Sequence, residues 1–120
     1  MQNWLNAEAR RLGNTIKWSV EGWNAAWRTE KSLRQWTLVN LANAILVFAL
    51  PLSPGERALL LALGLLVLAA ELINTALEEV VDYLTRDQDP RAKRAKDCGS
   101  ACVALTALAG GVAWLVILLS

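Results

Sequence analysis

The chain has 120 residues, of which 55% are hydrophobic and 19% charged, and its mean hydropathy is +0.33. That is the size of one domain, and too apolar for an ordinary soluble enzyme or a disordered chain. Twelve Lys and Arg against 11 Asp and Glu leave a net charge of +1, so nothing points to nucleic acid as a partner, and the absence of His excludes His-based triads, proton shuttles and metal sites.

The first 30 residues hold no compact apolar run followed by a small-residue cleavage site, so no cleavable signal is expected. Residues 1–32 read instead as an amphipathic helix. On a helical wheel Leu5, Leu12, Ile16, Val20, Trp23 and Trp27 fall within about 80° of one another, with Arg10, Asn14, Lys17, Glu21 and Arg28 opposite. A basic face against a Trp-bearing apolar face suits a helix lying among lipid headgroups. Trp18 stands on the polar side, where its ring could stack on a planar ligand or sit at the interface. Glu30, if the helix reaches it, points with the apolar stripe toward the bundle.

Three apolar segments follow, at 33–50, 56–84 and 98–119. The first ends at the turn cluster Pro51-Leu52-Ser53-Pro54-Gly55. The expected fold is an all-α membrane protein with one surface helix and three transmembrane helices. Positive charges crowd the N-terminal segment and the connection from Arg86 to Lys96, whereas the first connection has only Arg57. Both basic regions are therefore expected on the cytoplasmic side. Trp36 and Trp114 fit interfacial anchors, and Asn40 and Asn43 are expected to face inward and bridge helices.

The second span carries the most informative pattern. Glu71, Asn74, Glu78 and Asp82 stand at i, i+3, i+7 and i+11, on one helical face and over about 16 Å. A carboxylate in hydrocarbon costs at least ~2.5 kcal/mol, so such a line must face protein, water or cations. Glu71 ends the apolar run and lies deepest. Pairing with Arg and Lys of neighbouring helices, a proton path and a metal–phosphate site all remain open readings. Further on, Asp97 is expected to cap the third span and Lys96 to stand beside that helix start, an arrangement that favours anions. Ser100, Ala104, Ala107 and Gly111 form a small-residue seam for close helix packing. Cys98 and Cys102, four apart on one helix, cannot close a disulfide and make a poor zinc site, so they read as packing residues. Carboxylates for Mg²⁺, a lysine for phosphate and a carboxylate base are together the parts of a phosphoryl-transfer site.

The chain resembles the small integral-membrane diacylglycerol kinases of bacteria. The matching stretches are Ala25-Ala26-Trp27 with Glu30 and Arg34, then Glu71-Leu72-Ile73-Asn74-Thr75-Ala76-Leu77-Glu78 with Val80-Val81-Asp82, then Arg94-Ala95-Lys96-Asp97 with Gly99-Ser100-Ala101. The resemblance implies a homotrimer in the bacterial inner membrane, with the N-terminus cytoplasmic and active sites shared between subunits. It implies transfer of the γ-phosphoryl of MgATP to the hydroxyl of diacylglycerol, giving phosphatidic acid. Glu71 would be the general base, and Glu30 and Glu78 the Mg²⁺ ligands. Lys96 would meet phosphate with Asp97 beside it, Arg11 and Trp18 would lie near the nucleotide, and Asn74 and Asp82 would order the site. Arg34, Arg57 and Ser100 look like lipid-side contacts. The stretch Asp87-Gln88-Asp89 departs from the family pattern near the nucleotide, and Trp36 stands where a relative has an acid. The undecaprenol kinases of the same family, and a non-enzymatic membrane oligomer that uses the acidic stripe, are the alternatives.

Overall fold

The computed structural model describes residues 1–120 as four helices with no strand: α1 Gln2–Thr29, α2 Lys31–Ala49, α3 Pro54–Leu84 and α4 Pro90–Leu119. Local chemistry sets the ends. Ser53 and Glu56 form a reciprocal capping box before α3, with the Ser53 hydroxyl accepting from the Glu56 N–H at 3.2 Å and the Glu56 carboxylate from the Ser53 N–H at 2.9 Å. Asp89 starts α4 in a similar way, accepting the Arg91 N–H at 2.7 Å. Pro54 and Pro90 each take the first helical position, where no backbone N–H is missed.

One residue separates α1 from α2. Glu30 has φ −109° and ψ 106°, so the surface helix stops at Thr29 and does not run to residue 32. Arg34 reaches back across this break and donates to the Trp27 carbonyl. α1 is about 42 Å long. From Met1 to Gly22 it buries nothing, leaving Leu5, Leu12, Ile16 and Val20 open.

α3 is the central helix. α2 and α4 both pack against it, and their backbones do not meet each other. The molecule is accordingly a slab, 53 × 47 × 23 Å. A small core of Val47, Leu60 and Ala113 closes the end near the Pro51–Pro54 turn. Between α2 and α4 lies a mainly apolar cavity of about 260 Å³. One side-chain hydrogen bond crosses it, from the Trp114 indole N–H to Asn43 Oδ1 at 2.8 Å, while Asn43 Nδ2 donates to the Leu60 carbonyl at 3.1 Å. Asn43 therefore bridges three helices, as expected for an inward amide. Asn40 stays within α2, donating to the Trp36 carbonyl, and presses against Gly64. Trp114 turns its indole N–H inward to Asn43.

Two further expectations change. α4 begins at Pro90, so Asp97 is not its cap, and Lys96 lies nearly two turns inside the helix, away from its N-terminus. The buried ridge of α4 is Gly99, Val103 and Ala113, so of the small-residue seam Ser100 and Ala104 are exposed in the single chain, while Ala107 and Gly111 line the cavity. By length and composition α3 and α4 can each cross a bilayer; α2, with Lys31, Arg34, Asn40 and Asn43, does not meet the same measure. Many large apolar side chains point away from the slab, among them Ile45, Phe48, Leu65, Leu105 and Leu115. Lipid or further protein is the natural cover for so much apolar surface.

Candidate active site

The acidic face of α3 turns inward at its deepest point. Glu71 is only 5% exposed, although it is a carboxylate in the longest apolar helix. Its Oε2 accepts a hydrogen bond from the Ser32 hydroxyl, on the first turn of α2, at 3.0 Å. One turn on, Asn74 Nδ2 donates to Glu78 Oε1 at 3.3 Å. Asn74 Oδ1 is buried without a partner and lies against Gly99 of α4, where a Cβ would collide with it. Gly99 thus lets α4 come close enough to clamp this amide. At the end of the stripe Asp82 pairs with Lys96 at 2.6 Å, tying α3 to α4.

Glu30 joins this group from the break between α1 and α2. Its carboxyl is held above the usual carboxylate range, first by loss of solvent and then by the negative charges of Glu78, Glu71 and Glu79; Arg34 opposes the shift. All five ion pairs of the chain lie elsewhere, at Glu8, Glu21, Asp82, Asp89 and Asp97. Glu30 thus feels the charges of Glu78, Glu71 and Glu79, and none of the four has a cation in ion-pair contact. Pairing with basic side chains thus accounts for Asp82 but not for Glu71 or Glu78.

Only oxygen donors are present, negative charge is left uncompensated, and Asn74 Oδ1 has no partner. This chemistry suits a hard divalent cation. No three acids converge closely enough to form a complete cage within one chain. Glu30 and Glu78 could hold such an ion only with further oxygens from outside, and phosphate oxygens are ligands of that kind.

The other residues singled out from the sequence are spread along the molecule. Lys96 lines a cleft of about 580 Å³ at the α3–α4 connection, with Arg86, Lys93, Asp82 and Asp87. Asp97 pairs with Lys93 at 2.6 Å, which holds that ammonium above its ordinary range. Ser100 is exposed beside Gly99. Arg34 serves the α1 terminus. Arg57 donates to the Val47 and Leu50 carbonyls at the end of α2 and lies over the Phe48 ring. It is 14 residues from Glu71 on the same helix, about 21 Å away. Arg11, paired with Glu8, and Trp18 lie on the exposed part of α1, about 28 and 18 Å before Glu30. The structure thus gathers Glu30, Glu71, Asn74 and Glu78, adds Asp82 and Lys96 above them, and leaves Arg11, Trp18 and Arg57 apart. Ser32 was missed. A serine in a first helical turn is common, and only the tertiary approach of α2 to α3 gives it a carboxylate partner.

The profile described as prokaryotic diacylglycerol kinase matches residues 17–118, which includes every member of the acidic group. The chain belongs to the prokaryotic diacylglycerol kinase family. Within that family it is similar to the diacylglycerol kinase of Pseudomonas aeruginosa, 43% identical over 112 residues that cover 92% of this chain and 89% of the relative. The diacylglycerol kinase of Escherichia coli K12 is 32% identical over 110 residues, covering 92% and 90%. That of Haemophilus influenzae is 34% identical over 103 residues, covering 86% and 87%.

Proposed function

We propose that this chain is an ATP-dependent lipid kinase that phosphorylates diacylglycerol to phosphatidic acid at the cytoplasmic face of the membrane. The observation that carries the reading is the buried carboxylate of Glu71, set in the apolar helix α3 beside Glu30 and Glu78 and free of any cation. A lipid alcohol confined to the bilayer is a weak nucleophile, and it needs a base at the depth where its hydroxyl lies. Glu71 supplies that base. In the transfer the hydroxyl O–H bond breaks, its proton goes to Glu71, the lipid oxygen bonds to the γ-phosphorus, and the bond to the β-phosphate oxygen breaks to release ADP. Deprotonation of Glu71 to water then resets the site.

Glu30 and Glu78 are the proposed ligands of Mg²⁺, which would neutralise charge on the nucleotide phosphates when bound. Asn74 keeps Glu78 in place. Lys96, Arg86 and Lys93 are the proposed phosphate contacts in the cleft above the acids, where Asp82 and Asp97 hold the two lysines and Asp87 and Asp89 also line the wall. Arg34 and Ser100 are proposed on the lipid side.

The same reading takes α2 as a third membrane span, since its 19 residues reach about 28 Å. It places the N-terminus in the cytoplasm, α1 in the headgroup layer of the bacterial inner membrane, and three chains in a homotrimer. Support comes from the distribution of Lys and Arg, the open apolar face of α1 and the open slab. A trimer would also let Arg11, Trp18 and Arg57 serve a site other than that of their own chain.

The test is transfer of label from γ-labelled ATP in mixed micelles, with diacylglycerol and undecaprenol offered in parallel. Mg²⁺-dependent label in phosphatidic acid is expected, with Glu71→Gln lowering the rate by at least about 100-fold in a protein that stays folded. Label in undecaprenyl phosphate alone would move the substrate to the other branch of the family. No label in either lipid would sink the kinase reading.

A further inference from the structure

We propose that Ser32 is a positioning residue for the general base. The Ser32 hydroxyl donates to Glu71 Oε2 at 3.0 Å, and this is the only hydrogen bond that the Glu71 side chain makes. The inference rests on the kinase reading and deepens it.

A carboxylate has two oxygens and rotates about its last side-chain bond, a broad torsion with little intrinsic preference. In a polar site water or lysine would fix that rotation. Here no lysine or arginine lies within ion-pair distance, and the side chain is almost wholly enclosed. Ser32 fixes it instead. With Oε2 tied to α2, Oε1 is left without a hydrogen bond to receive the proton of the lipid alcohol.

The donor is itself well anchored. Ser32 stands in the first turn of α2, two residues after Glu30 and next to Leu33, which has no exposure at all. The hydroxyl thus spans 39 residues of sequence to join the start of α2 to the middle of α3. It also couples the base to the neighbouring Glu30, so that proton acceptor and proposed metal ligand keep their separation. Such a contact acts on the reacting geometry and leaves nucleotide affinity alone. Misplacement of a reacting group by about 1 Å costs on the order of 100-fold, and a freed carboxylate that still samples the right rotamer loses less.

The experiment compares wild type with Ser32→Ala, Ser32→Cys and Ser32→Thr in the mixed-micelle transfer assay, with melting curves on the same samples. Ala and Cys are expected to lower kcat about tenfold while KM for MgATP and for lipid stay within about twofold. Thr, which keeps a hydroxyl, is expected to retain at least about half the wild-type kcat. A wild-type kcat in the Cys variant, a loss confined to KM, or a Thr variant as slow as the Ala variant would each overturn the proposal. If Ala folds poorly, Cys, of nearly the volume of serine and a weak donor, and Thr decide it alone. Absence of transfer by wild type itself would instead remove the kinase reading, and this proposal with it.

Discussion

Glu30 shows how much charge the acidic group leaves uncompensated. Its carboxyl is raised by loss of solvent and by three neighbouring acids. A raised acid binds more protons folded than unfolded, so its stabilising effect is complete at acid pH and is lost as the pH rises from the ordinary carboxylate value through the raised one. Without a divalent ion, Glu30→Gln is therefore expected to melt above wild type at about pH 7 and to lose that advantage near pH 4. Added Mg²⁺ should raise the wild-type melting temperature more than that of the variant. An equal offset at both pH values would show that charge is not the cause. Gly99 gives the complementary test of space. A Cβ there meets the Asn74 amide and Leu77, so Gly99→Ala is expected to cost about 1–3 kcal/mol in detergent unfolding. It should also lower transfer, because the displaced amide releases Glu78.

Helix ends illustrate what was legible in the sequence. The turn cluster from Pro51 to Gly55 marked the break between two apolar segments, and the structure adds that its Ser53 caps a helix starting at Pro54, two residues before the expected start. Ser53→Ala is expected to lose about 0.5–2 kcal/mol of stability, measured by unfolding, with transfer activity within about twofold of wild type. The box is 18 residues from Glu71, about 27 Å along α3, too far to disturb the base. The period of the α3 acids was equally plain, since a 3.6-residue repeat puts Glu71, Asn74 and Glu78 on one face wherever that face points. The start of α4 was less so. Charge density suggested a loop from Arg86 to Asp97, but charged residues are good helix formers, and Asp89-Pro90 is the stronger stop-and-start signal. Trp114 and Ser32 could not be placed by periodicity at all. Their partners, Asn43 and Glu71, are 71 and 39 residues away, and nothing local encodes such meetings.

The slab is the main fact at the scale of the molecule. With α2 and α4 each packed on α3 but not on each other's backbone, no helix is enclosed, and an unusual share of leucine and isoleucine is left on the outside. Light scattering corrected for detergent is expected to give a protein mass three times that of the 13.1 kDa chain; a monomer that still transfers phosphate would end the shared-site reading. The same layout bears on synthesis. Each helix after α1 packs on the helix made just before it, and α3 completes its largest interface only when α4 follows. α4, which emerges after α3, carries Gly99 and Lys96, the partners of Asn74 and Asp82. A nascent chain that has released only α1 to α3 already carries Glu30, Glu71, Glu78 and Asp82 but cannot yet hold two of the polar side chains among them. Catalytic competence therefore waits for α4, and translation products stalled before it would be inert toward cellular ATP.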